Sequence, residues 1–124
     1  MQPVLFDTDL GVDDALAIAV ALNAAELDVI GLTLVAGNVS VEQGTRSALQ
    51  LLQLLGREDV PVYVGAEKPL FTDRVDAVQV HGSTGLGYAE LPEPSTPPVG
   101  RAVDHIIREI QKRPGELIIV AIGP

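Results

Sequence analysis

The sequence predicts an α/β fold: a Rossmann-like parallel sheet with flanking helices. Three observations predict it. Short apolar runs alternate with segments of helical period, the order that parallel crossovers produce. The apolar runs are continuous, as in strands covered on both faces. Hydrophobic residues make up 47% of the 124 residues and aromatic ones only 3%, so the core is built from Val, Leu, Ile and Ala.

The elements follow in order. Val4–Phe6 is a buried strand whose C-terminal end carries carboxylates. Asp13 or Asp14 opens a helix, because Ala15–Leu22 is rich in strong helix formers and apolar nearly all round. Leu27–Ala36 is the second strand, broken by Gly31 and closed by Gly37-Asn38. Ser40 starts a second helix with Gln43 three residues on, a capping-box spacing that satisfies two free backbone donors. Its stripe of Val41, Ala48, Leu49, Leu52 and Leu55 follows the helical period, and Gly56 stops it. Val60–Val64 is a third strand. From Gly65 to Gly100 no period is sustained; the segment holds glycines around His81 and prolines at 92, 94, 97 and 98. Irregular segments of this length are usually functional or disordered. A third helix with Val103, Ile106, Ile107 and Ile110 on one face ends at Pro114-Gly115, and Leu117–Ile122 is a fourth strand.

One domain spans residues 1–124 on this reading. The last strand is wholly apolar, yet the sequence stops at Pro124. Exposed apolar edges are a liability, so the expectation is a fragment of a longer domain, or a homo-oligomer that covers the edge. A net charge of −9 argues against nucleic acid or an anionic membrane as partner, since both need clustered Lys and Arg. The absence of cysteine excludes disulfides, thiolate metal sites and cysteine nucleophiles. No apolar run approaches the ~20 residues of a membrane span, and the start lacks the pattern of a signal peptide. The expected location is the cytoplasm.

Four carboxylates, Asp7, Asp9, Asp13 and Asp14, fall within eight residues. Asp7 and Asp9 are two apart at a strand end and can point the same way. Asp13 and Asp14 stand at a helix start, where free N–H groups favour ionised acids. Packing so many negative charges costs energy unless a cation neutralises them. Oxygen-only ligands select a hard ion, calcium or magnesium, over zinc. Ligands of open α/β sheets bind at the C-terminal strand ends, where this cluster lies. Helix capping accounts for one or two of these acids, not four. A calcium-binding EF-hand loop fails, because Val12 and Ile18 stand where it needs glycine and glutamate. A haloacid-dehalogenase-like phosphatase also opens with a strand and Asp-x-Asp, but leaves Asp13-Asp14 unexplained; it stands as an alternative.

Asp7-Thr8-Asp9-Leu10-Gly11-Val12-Asp13-Asp14-Ala15 resembles the signature of the inosine-uridine preferring nucleoside hydrolases. Val35-Ala36-Gly37-Asn38, His81-Gly82-Ser83-Thr84-Gly85-Leu86-Gly87 and Ala121-Ile122-Gly123-Pro124 are similar to three further family segments, in the right order. Thr84 departs from the pattern, where the family more often has an acid or serine. The resemblance implies the first half of a nucleoside hydrolase fold, since family members are considerably longer. It implies hydrolysis of the N-glycosidic bond of ribonucleosides, assisted by Ca2+. Asp9 would be general base and metal contact, Asp14 a bidentate metal ligand, and Ile122 a ligand through its backbone carbonyl. Asp13 would bind a ribose hydroxyl, Asn38 would position water and sugar, and His81 would contact or protonate the leaving base. Asp7 would orient the loop; His105 is given no role. The competing expectation is a non-catalytic α/β remnant that binds metal weakly, and the isolated chain is expected to turn nucleosides over slowly or not at all.

Overall fold

In the computed structural model, which describes residues 1–124, the chain order is β1 (Gln2–Thr8), α1 (Val12–Asn23), β2 (Leu27–Leu34), α2 (Val41–Leu54), β3 (Val62–Val64), α3 (Val78–His81), β4 (Gly100–Arg101), α4 (Ala102–Lys112) and β5 (Ile118–Ala121). One five-stranded sheet forms in the order β4-β3-β2-β1-β5, and every neighbouring pair is parallel. The expected α/β architecture is present, with the last strand beside the first. The two-residue β4 was not expected; it lies at the end of the aperiodic segment, where two residues carry no readable period.

The core lies where β1 and β2 meet α1 and α2. Val4, Phe6, Val29, Leu32 and Leu34 pack there with Ile18, Ala48, Leu49 and Leu52. Val29 and Leu32 are three apart, yet both face this core. The reason is a bulge: Val4 pairs with Val29, but Leu5 pairs with Gly31, so the register skips Ile30. The extra residue resets the alternation of side chains. In α2, Ser40 Oγ accepts the Gln43 N–H at 3.1 Å. The reciprocal half of the capping box is not made, because Gln43 Nε2 donates instead to Ser47 Oγ at 2.9 Å.

Two helices correct the expectation. In α1, Leu16 and Val20 are exposed while Asp14, Ile18 and Ala21 are buried. The apolar character all round therefore does not mean burial all round. In α4 most of the predicted stripe faces outward: Val103, Ile107 and Ile110 are exposed and Ile106 is half-buried, while Ala102, His105 and Glu109 are buried. His105 stacks on Tyr63 with ring centroids 3.8 Å apart. It rests over Gly31, where a Cβ would stand 3.0 Å from its Nε2 and 3.4 Å from Leu5 Cδ1. Leu5 alternates with Val4 and Phe6, so His105 lies on the face opposite the main core. Glu109 is buried with its charge met by Arg113. A helix seated on a ring stack and an internal ion pair does not need its isoleucines to dock.

Candidate functional site

β1 ends at Thr8 and the chain turns at once into α1. Leu10 makes the turn in the left-handed region, φ 45°, a conformation rare for non-glycine residues and costing roughly 1–3 kcal/mol. Its N–H is taken by Thr8 Oγ1 at 3.0 Å, and its side chain is fully buried. Strain of this kind holds only where the surroundings over-determine it, and here it lies between two carboxylates.

Asp9 projects from this turn and is 7% exposed. Its Oδ2 accepts the Asn38 N–H at 2.9 Å. Its seat is Gly37, where a Cβ would lie 2.2 Å from Oδ2. Asp14, in the first turn of α1, is 4% exposed, and its Oδ2 accepts the Gly11 N–H at 2.8 Å. Burial raises the Asp14 pKa from 3.8 to about 6; the Gly11 N–H opposes the rise, while a hydrogen bond that the protonated Asp14 donates to Asp9 and the charges of Asp9 and Asp13 add to it. None of the ion pairs in the chain involves Asp9 or Asp14. Two buried acids thus face each other with only backbone N–H groups to share their charge.

Gly11, the residue before α1, draws two more residues in. A Cβ on it would stand 2.7 Å from Asn38 Nδ2 and 2.8 Å from His81 Cε1 and Nδ1. The His81 ring is fixed by the Val12 N–H, which donates to its Nδ1 at 3.0 Å. Asp13 stands at the rim, its side chain 82% exposed and its Oδ1 3.9 Å from His81 Nδ1. Asp7 is engaged elsewhere: Thr33 Oγ1 donates to its Oδ1 at 2.6 Å. The Asp7 carbonyl accepts the N–H groups of Ile122 and Gly123 at 2.9 and 3.3 Å. Gly123 in turn lies over β1, where a Cβ would be 3.5 Å from Asp9 N.

Asp9, Asp14, Asn38 and His81 are therefore brought together. Ile122 is tethered at the adjoining strand end, and Asp13 is peripheral. No group of three or more Asp, Glu or His side chains is arranged to hold a metal ion. The side-chain donors brought together are two carboxylates, and oxygen donors of this kind suit a hard cation. A cavity of about 490 Å³ lies elsewhere, between α2 and the proline-rich segment, and touches none of these residues. A smaller one of about 260 Å³, lined by Val35, Ala36, Lys68 and Pro124 among others, adjoins the Ile122–Gly123 turn. Sequence reasoning missed Gly37 as the seat of Asp9, Thr33 as the partner of Asp7, and the Val12 N–H as the clasp of His81. Each depends on cross-strand or loop-to-helix register that spacing does not carry.

Residues 4–124 match the model of the inosine-uridine preferring nucleoside hydrolases. A pyrimidine-specific ribonucleoside hydrolase of Citrobacter koseri is 47% identical over 123 residues, covering 98% of this chain and 39% of that protein. A probable uridine nucleosidase of Arabidopsis thaliana is 43% identical over 126 residues, covering 99% and 39%. Among solved structures, a purine-preferring ribonucleoside hydrolase from Gardnerella vaginalis matches with a TM-score of 0.93 and 38% identity, over 99% of this chain and 40% of that one. The chain thus spans about 40% of the length of these relatives.

Proposed function

This chain belongs to the inosine-uridine preferring nucleoside hydrolase family, and we propose that it serves calcium-assisted hydrolysis of the N-glycosidic bond of ribonucleosides. Family membership sets the phosphatase alternative aside. The observation that carries the reading is the buried pair Asp9 and Asp14, charged groups packed together without a cationic side chain.

Asp9 and Asp14 would hold the calcium ion, with the Ile122 carbonyl as a further ligand. A cation bound there supplies positive charge that makes a coordinated water more acidic. Asp9, seated on Gly37 and fixed by the Asn38 N–H, is the base that takes the proton of the attacking water. The negative charge of the pair favours the positive charge that develops on the ribose as the bond to the base lengthens. Asn38 positions water and sugar, and Asp13, free at the rim, accepts from a ribose hydroxyl. His81 meets the departing base; with Nδ1 occupied by the Val12 N–H, its Nε2 is the nitrogen free to donate.

The proposal includes a homo-oligomer. β5 pairs with β1 alone, and Ile118 and Ile119 are 47% and 40% exposed. A monodisperse monomer in light scattering at high concentration would remove that part. No helix is long and apolar enough to cross a membrane; a cytoplasmic role in nucleoside salvage is part of the same proposal. Ribose release from inosine and uridine tests the activity. The expected result is release, however slow, that needs calcium and falls at least about 100-fold in Asp9→Asn. Calcium binding without any turnover would favour the non-catalytic reading, and turnover indifferent to Asp9→Asn would overturn the assignment of the base.

A further inference from the structure

Helix α2 buries polar residues where a helix on a sheet is expected to show its solvent face. Ser47 is wholly buried and Gln50 is 7% exposed. With Gln43 they recur at the spacing of one helical face. Each reaches the aperiodic segment or a neighbour that does. Ser47 Oγ donates to the Thr84 carbonyl at 2.7 Å and accepts from Gln43 Nε2 at 2.9 Å. Gln50 Nε2 donates to the carbonyls of Leu91 and Pro92 at 3.1 and 2.9 Å.

The Thr84 carbonyl belongs to the loop that begins at His81. This loop is closed on itself by the Gly87 N–H to the His81 carbonyl at 2.8 Å. It also presses on the acidic turn: Gly85, at φ +81°, lies so near that a Cβ would be 2.3 Å from the Leu10 carbonyl oxygen. The Gly85 approach offers no side-chain grip, and the Gly87 bond joins backbone to backbone within the loop. The Ser47 hydroxyl is the buried side-chain group that grips the loop from the helix beneath.

We infer that Ser47 is a positioning residue: with Gln43 it straps the His81–Gly87 loop onto the acidic turn, so that the His81 ring meets the Val12 N–H and keeps its Nε2–H for a ligand. This rests on the proposed function only in giving His81 a nucleobase to meet; the strap itself is tested without substrate.

The test compares Ser47→Thr with Ser47→Val. The two side chains have nearly the same shape, so any crowding is common to both and the hydroxyl is the difference. Nuclear magnetic resonance on the 15N-labelled chain reads the coupling across the Val12 N–H···Nδ1 hydrogen bond and the exchange rate of the Val12 and Gly87 amides. Ser47→Thr is expected to keep the coupling. Ser47→Val is expected to lose it and to exchange both amides at least tenfold faster, with the β1 and β2 amides unchanged. Coupling retained in Ser47→Val, or exchange raised uniformly through the sheet, would overturn the inference. Gln43→Met removes only the donor to Ser47, on a half-exposed side chain, and serves if neither Ser47 variant folds. It is expected to speed Val12 exchange severalfold, and no change would again overturn the strap.

Discussion

At the C-terminal end of β1, Asp9 and Asp14 are buried against each other; on the sheet's other face, His105 is buried against Tyr63. Both regions take a titratable group out of water and both lean on a glycine, Gly37 beneath Asp9 and Gly31 beneath His105. They differ in what the burial leaves behind. His105 Nδ1 accepts from Arg108 at 3.2 Å, and its Nε2 has no hydrogen-bond partner. Burial, then the charges of Arg108 and Arg113, lowers its pKa, so the ring is neutral and the cost is one unmade hydrogen bond. Asp9 and Asp14 are two acids whose negative charges repel, and neutrality there requires either a proton or a cation. A neutral buried ring can be a packing element; a like-charged buried pair asks for a third party.

Replacing each glycine with alanine should separate the two regions by the widest margin. Gly37→Ala places a carbon 2.2 Å from Asp9 Oδ2 and 2.6 Å from Asp9 Cβ, so the carboxylate must leave its seat. Calcium affinity is expected to fall roughly 100-fold. Gly31→Ala crowds His105 at 3.0 Å and is expected to cost about 1–3 kcal/mol of stability with cation affinity unchanged. Titration of both variants, with denaturant melts, checks the pair; a loss of affinity in Gly31→Ala would merge the two regions.

A smaller effect is the opposed pH dependence of the two groups without cation. Asp14 has its pKa raised in the fold, so it binds its proton more tightly folded than unfolded. The associated stability falls as pH rises from about 4 to about 6 and is absent above that. His105 has its pKa lowered, so its contribution is complete above its ordinary 6.5 and is lost as pH falls from there through the lowered folded-state value. In urea melts across this range, Asp14→Asn should flatten the first slope and stabilise the cation-free protein by roughly 1–2 kcal/mol at pH 7, discounted for screening. His105→Phe should flatten the second slope. Variants that leave both slopes unchanged would show that neither group titrates differently on folding.

The same contrast explains what was legible in the sequence. The strand-and-helix order was readable, apart from the two-residue β4, because β1, β2, β3 and β5 each carry an apolar run and α2 carries a clean stripe. The acidic turn was readable because four Asp residues in eight exceed what helix capping uses. The orientation of α4 was not. Its isoleucines mark the apolar face, but Tyr63 and Gly31, far away in sequence, decide which face docks. Likewise Ser47 and Gln50 look like surface residues until the loop carbonyls they serve are brought to them. Local pattern carries what a segment does by itself; it does not carry which partner arrives across the fold.

Calorimetric titration of the chain with calcium decides whether the buried acid pair takes a cation. With two side-chain carboxylates, far fewer than the six to eight oxygens calcium prefers, a weak site is expected, on the order of 10⁻⁴–10⁻³ M. Asp14→Ala should weaken it at least tenfold, while His105→Phe should leave it unchanged. Equal calcium binding by the unaltered chain and Asp14→Ala would contradict the account.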